Sequence, residues 1–187
     1  MSNLSTQDVV LSIQKEPLVN LNGILYQEYH NFFGNSMIQE LINLKDLNLL
    51  PLESEHAEKY KLRNKVDLNH EIMKKLRIFF MHSSITGALA DKFQMDLTFS
   101  SIDMWHDNPG YVIFPHTDDA SIKVALQIYL GNENVGTSLF DEKNNILKTF
   151  EYKMNSGYAL LNNQQSRHGM EKKSTQGTRK SLYVRYR

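Results

Sequence analysis

From about Met95 onward the chain alternates apolar and polar positions with a period of two, the pattern of extended chain with one face buried. Runs of this kind predict strands at Met95 to Phe99, Ile102 to Trp105, Tyr111 to Phe114 and Val124 to Leu130. More are predicted at Thr137 to Phe140, Leu147 to Tyr152, Tyr158 to Leu161 and Lys180 to Tyr186. Turn signals separate them at Asn108-Pro109-Gly110, Gly131-Asn132, Asn144-Asn145 and Ser156-Gly157. Many short, evenly spaced strands predict a closed or sandwiched antiparallel sheet.

The first half follows another rhythm. Val9 to Leu25 mixes short β-type runs with Pro17 and the turn signal Asn22-Gly23, predicting an opening strand and connector. Ser36 and Gln39 match a capping box, and Met37, Ile38, Leu41, Ile42 and Leu44 continue at helical spacing towards Pro51. Glu53 to Asp67 is charged and reads as a solvated loop or frayed helix. Asn69 can cap a second helix with Ile72, Leu76, Phe79 and Phe80 in one apolar stripe, broken near Gly87. Both helices need a sheet to cover. Tyr26, Tyr29, Phe32 and Phe33 are expected in the core.

Length and charge narrow the picture. With 187 residues and 41% hydrophobic content the chain suits one compact domain. Twenty-one basic residues balance twenty-one acidic ones, so no overall field draws it to nucleic acid or an anionic membrane. The opening MSNLSTQDVVLSIQKEP lacks a basic n-region, and no apolar run approaches the roughly 20 residues of a membrane span, so the expectation is a cytoplasmic protein. Cysteine is absent, which excludes disulfides, thiolate metal sites and a Cys nucleophile. Any metal must therefore sit on His and carboxylate.

One segment offers such donors. In Pro115-His116-Thr117-Asp118 an extended chain points His116 and Asp118 the same way. A His-x-Asp pair alone is weak, arising by chance in roughly one chain in three of this composition. His56-Ala57-Glu58 is such a decoy, assigned to the surface. His168, after the strand Tyr158 to Leu161 and directly before Gly169, adds a third donor. Two His and one carboxylate with open positions suit non-haem Fe(II) and oxygen chemistry, whereas singly each His would be satisfied by backbone.

The last strand bears on the same pocket. Alternation places Leu182, Val184 and Tyr186 on one face and Arg179, Ser181, Tyr183 and Arg185 on the other. An inward Arg179 needs an anion, either the carboxylate of a dicarboxylic 2-oxo acid with Ser181 donating alongside, or a protein carboxylate. Gln127 and Tyr129 lie opposite the apolar face of their strand, facing either the pocket or solvent. Trp105 and His106 are placed either at the pocket mouth, or as one packing aromatic and one surface His.

Together these residues resemble the Fe(II)- and 2-oxoglutarate-dependent oxygenase superfamily. The resemblance runs through Pro115-His116-Thr117-Asp118-Asp119, Ile128-Tyr129-Leu130, Gly136-Thr137-Ser138-Leu139, Ser166-Arg167-His168-Gly169 and Gly177-Thr178-Arg179-Lys180-Ser181. It implies an α+β chain, mostly β with N-terminal helices, whose core is a double-stranded β-helix (jelly roll, cupin-like) with helices packed on the major sheet. One domain, 1–187, would comprise a helical part, 1–94, and a jelly-roll core, 95–187. His116, Asp118 and His168 would be the Fe(II) ligands, and Arg179 and Ser181 would hold the distal carboxylate of 2-oxoglutarate. Lys180 competes with Arg179 for that clamp, but alternation sets it beside Leu182 and Val184. Many relatives place a co-substrate-binding Tyr about ten residues before the first His; this chain has Trp105, His106 and Asp107 there.

The implied reaction uses O2, with ascorbate as a stimulant, and hydroxylates a substrate with release of succinate and CO2. An Asp at the second ligand position favours hydroxylation over halogenation. The prolyl-hydroxylase-like reading implies a peptidyl or free amino-acid substrate, hence a small-molecule or peptide partner. A nucleic-acid demethylase is the alternative: Arg179 and Arg185 lie six apart as in that branch, but zero net charge and a missing Asn-x-Tyr oppose it. A non-oxidative metal-binding module is the third reading, since His and Asp ligands also tolerate zinc.

Overall fold

The structure is a computed structural model that describes residues 5–51, 62–172 and 177–187. The chain begins with helix α1 (Thr6–Lys15), hairpin strands β1 (Val19–Leu21) and β2 (Ile24–Tyr29), helix α2 (Asn35–Ile42) and strands β3 (Leu49–Pro51) and β4 (Arg63–Val66). Helices α3 (Glu71–Phe80) and α4 (Ser83–Phe93) lead into β5 (Phe99–Asp107) and β6 (Val124–Tyr129). The remaining strands are β7 (Thr137–Phe140), β8 (Ile146–Phe150), β9 (Gly157–Leu161), β10 (His168–Gly169) and β11 (Arg179–Tyr186).

Among the described residues eight strands form a major sheet in the order β1-β2-β9-β6-β11-β5-β4-β3, and β10-β7-β8 form a smaller one. This is the mostly β jelly roll with N-terminal helices that the strand pattern and the resemblance led us to expect. Alternation explains its layers. On the outer face of the major sheet, Leu126 and Ile128 of β6, Leu182 and Val184 of β11 and Ile102 and Met104 of β5 join one core with the helices. The helices contribute Val9 and Ile13, Ile72, Leu76 and Phe80, and Ile85 and Leu89 to it. Burial of each such side chain is worth about 1.5–3 kcal/mol, so this layer dominates the stability. Between the sheets, Tyr26, Tyr129, Phe150, Tyr152 and Tyr158 pack with Leu139 and Leu160, and Phe150 stacks on Tyr158 at 4.2 Å. Among the described residues no helix is long and apolar enough to cross a membrane.

Several local expectations change. Val9 to Ile13 is helix rather than opening strand: Val9 and Ile13, one turn apart, bury one face of α1, which packs on α4. The hairpin turns where expected, with Asn22 and Gly23 both at positive φ (53° and 85°). The capping box is not formed, because α2 starts two residues earlier, with Gly34 rather than Ser36 at the cap position, and has no side-chain cap. That helix stops at Ile42, and Leu49–Pro51 pairs with β4 instead of extending it.

The cap of α3 is His70, not Asn69: its Nδ1 accepts from the Ile72 N–H at 3.3 Å. The break falls at Met81 and His82, and His82 caps α4 by accepting from the Ser84 N–H at 3.3 Å. Gly87 sits inside α4 with open space around it. Met95 to Phe99 and Ile102 to Trp105 merge towards one strand that begins at Phe99, while Tyr111 to Phe114 is irregular chain. Tyr26, Tyr29, Phe32 and Phe33 are buried as expected. The expected loop ends in a strand, Arg63–Val66, paired with β5 so that Arg63 lies opposite Asp107 and Lys65 opposite Trp105. The His56-Ala57-Glu58 decoy lies outside the described residues.

Candidate functional site

His116, Asp118 and His168 come together at one end of the space between the sheets, and their donor atoms lie within 4.8 Å of one another. Asp118 Oδ1 stands 3.8 Å from His168 Nε2 and 4.0 Å from His116 Nε2. Backbone pairing produces this meeting. His116 and His168 form an antiparallel bridge, each N–H donating to the other's carbonyl at 3.0 and 2.8 Å. Gly169 permits it, because a Cβ there would come within 2.9 Å of three backbone atoms of Ile113, Phe114 and Pro115.

Both imidazoles could hold a metal. His116 Nδ1 lies 2.8 Å from the Phe114 carbonyl and His168 Nδ1 3.0 Å from the Ser166 carbonyl. A ring N–H donated to each carbonyl leaves Nε2 as the lone-pair nitrogen on the side of Asp118. Burial pushes the His168 pKa down and outweighs the opposing pull of Asp118, which favours the neutral, ligating ring. Tyr183 donates to Asp118 Oδ2 at 2.5 Å, leaving Oδ1 towards the two His. Burial first, then the Asp118 charge, raises the Tyr183 phenol well above its ordinary pKa, so it stays a donor. The turn after Asp118 is tied down by Asn162, whose Nδ2 donates to the carbonyls of Asp119 and Ile122 at 2.9 Å each. Donor set, tautomers and support fit a divalent cation such as Fe(II).

The three donors line a cavity of about 280 Å³ whose other wall includes Arg179, Arg63, Thr137 and Trp105. Arg179 is 1% exposed on the central strand β11. Of the two partners considered from sequence, the structure supplies a protein carboxylate: Arg179 Nη1 donates to Asp107 Oδ2 at 2.9 Å. Its Nε donates to the Val135 carbonyl at 2.8 Å and Nη2 to Thr137 Oγ1 at 3.3 Å. Tyr129 and Tyr152 lie under the guanidinium at 5.4 and 5.5 Å. Burial works against the Arg179 charge, but Asp107 together with the phenols of Tyr129, Tyr152 and Tyr158 outweighs it, and its pKa stands above the ordinary value.

Ser181 is fully buried beside this group and accepts from Gln127 Nε2 at 3.1 Å. Gln127 in turn accepts from Thr137 and from Tyr158 at 3.1 and 2.8 Å, so it lines the cavity as a fixed acceptor rather than facing solvent. Tyr129 is buried too. Trp105 lines the cavity, while His106 points to the other face of β5, where it is buried rather than on the surface. Lys180 likewise belongs to the outer face of β11 and does not line the cavity. Arg185 is engaged by Asp103.

Four contributors carried no signal of their own in the sequence. Tyr183 was readable only as a member of the inward face, and Asn162 and Asp107 needed the fold. Arg63 lies in the charged stretch taken for loop, yet it reaches Asp107 bidentately, Nε to Oδ1 at 2.6 Å and Nη2 to Oδ2 at 3.0 Å.

No family model and no curated protein matches the sequence. Solved structures match the fold. An oxidoreductase of the 2OG-Fe(II) oxygenase family from Burkholderia pseudomallei superposes with a TM-score of 0.69 at 12% identity, covering 99% of this chain and 92% of the other. A prolyl hydroxylase from Trichoplax adhaerens, in complex with a hypoxia-inducible-factor peptide, gives 0.61 at 9% identity over 97% and 88%. HygX from Streptomyces hygroscopicus, with nickel, 2-oxoglutarate and hygromycin B bound, gives 0.61 at 11% over 86% and 82%. The chain shares the fold of these three proteins.

Proposed function

We propose that the chain is an Fe(II)- and 2-oxoglutarate-dependent dioxygenase that hydroxylates a small-molecule or peptide substrate, a peptidyl or free amino acid fitting best. One observation carries the reading: His116, Asp118 and His168 converge on the same cavity as the buried Arg179. His116 and His168 Nε2 and Asp118 Oδ1 would hold the metal on one side, leaving its cavity side open. Arg179, with Ser181 beside it, would take the distal carboxylate of 2-oxoglutarate. Bound Fe(II) supplies oxygen activation coupled to release of succinate and CO2, with ascorbate keeping it reduced. The chain's own part is to orient. Tyr183 keeps one Asp118 oxygen occupied, the two backbone carbonyls fix the His tautomers, and the aromatic walls around Arg179 exclude water.

Two neighbours support the substrate class, since one was solved with a peptide and another with hygromycin B. The test is anaerobic loading with Fe(II) followed by 2-oxoglutarate, read as a charge-transfer absorption band, and then Fe(II)-dependent succinate release over a panel of amino acids and peptides. Absence of both the band and calorimetric 2-oxoglutarate binding overturns the proposal. Tight zinc retention with no Fe(II) response would assign the site to a non-oxidative module instead.

A further inference from the structure

Asp107 is fully buried between two arginines, and the arrangement leaves a charge over. Two guanidinium groups meet one carboxylate, so Arg63, Asp107 and Arg179 together retain one positive charge at the cavity wall. Were Arg63 absent, Asp107 and Arg179 would cancel. A buried neutral pair offers an incoming carboxylate hydrogen bonds but no net attraction.

The donor count points the same way. An arginine has five N–H groups. Arg179 directs its Nε, Nη1 and Nη2 to Val135, Asp107 and Thr137, so each terminal nitrogen keeps only one further N–H. Arg63 gives Nε and Nη2 to Asp107, and its Nη1 has no hydrogen-bond partner among the described residues. Its guanidinium carbon lies over the rings of Trp105 at 4.7 Å and Tyr111 at 4.3 Å, and it lines the cavity. Such stacking fixes a cation in place at little cost in hydration. Arg63 also belongs to β4, an edge-ward strand outside the jelly-roll segment on which the resemblance rests.

We propose that Arg63 is the second cation of the co-substrate's carboxylate site, acting through Asp107, which it both neutralises and holds against Arg179. The inference rests on the activity proposed above and adds a residue to the 2-oxoglutarate pocket. It makes the pocket a two-armed anion clamp, with arms drawn from strands 116 residues apart in sequence (63 to 179) and joined by a single carboxylate.

The test is calorimetric titration of 2-oxoglutarate into Fe(II)-loaded protein under anaerobic conditions, with Fe(II) affinity measured alongside. Arg63→Gln is expected to weaken 2-oxoglutarate binding about tenfold or more while leaving Fe(II) affinity unchanged. Adding Asp107→Asn to it restores the single positive charge and should recover binding to within about threefold of the original. Arg63→Lys keeps the charge without the fork and should also stay within about threefold, and if the Gln variant fails to fold, Arg63→Met, which keeps the apolar stem without the charge, is expected to show the same loss of about tenfold or more. Unchanged binding in Arg63→Gln, a double variant weaker than the single one, or a Lys variant as weak as Gln would each overturn the proposal. Original protein that binds Fe(II) but no 2-oxoglutarate would overturn the proposed activity, and this inference with it.

Discussion

Tyr183 donates its phenol proton to Oδ2 of Asp118 at 2.5 Å, across 65 residues of sequence, while the other carboxylate oxygen faces His116 and His168. The contact occupies one carboxylate oxygen and would leave the other for a metal. Tyr183→Phe should keep the fold and lower Fe(II) affinity about 10- to 100-fold, the usual cost of losing a hydrogen bond to a metal ligand. Metal titration with a competing chelator checks it; unchanged affinity would remove Tyr183 from the metal site.

Removing a proposed ligand itself should go further. His168→Ala is expected to abolish Fe(II)-dependent succinate release and the charge-transfer band. The secondary structure seen by circular dichroism should be retained, because the bridge to His116 is made by backbone. Retained iron binding in this variant would exclude His168 as a ligand.

Gly169→Ala tests the close approach that brings the two His together. Its Cβ would meet backbone at 2.9 Å, and backbone yields less readily than a side-chain tip. A loss of about 1–3 kcal/mol is expected from overpacking, seen as a lower denaturant midpoint together with weaker metal binding.

His106 predicts an acid limb in the stability profile. Buried at 6% exposure, its pKa falls to about 4, chiefly from burial, helped by Lys180 and opposed by Asp107. The unfolded chain takes up its proton near pH 6.5 while the folded one waits until about 4, so unfolding binds a proton between these values. Stability should fall as pH drops through that window, by up to about 1.4 kcal/mol per pH unit from this residue, and stop falling on its account below about 4. Urea titrations of the original and His106→Leu across the window should show a shallower fall in the variant. Parallel profiles would show that His106 does not titrate this way.

The second half of the fold was legible because period-two alternation separates a core face from a site face, and β6 and β11 obey it residue by residue. The same alternation turned Arg179 inward and Lys180 outward. Val9 to Ile13 misled because a short helix with β-branched residues carries both signatures, and only packing on α4 decides between them. Arg63 was illegible for another reason: its charged surroundings look solvated until Asp107, 44 residues on, is seen to take its guanidinium. The anion expected for Arg179 was the right demand, but a protein carboxylate answers it first.

Strand β11 puts Arg179, Ser181, Tyr183 and Arg185 on the inner side and Leu182, Val184 and Tyr186 in the core with the helices. A slip of one residue would exchange the two sets, sending leucine into the cavity and arginine under the helices. Between Ser181 and Arg185, where pairing with both β5 and β6 runs in unbroken register, a single-residue insertion or deletion therefore changes the face of every residue beyond it. Chemistry and folding are written into alternate letters of one eight-residue word, so the strand has a reading frame as strict as that of the gene encoding it.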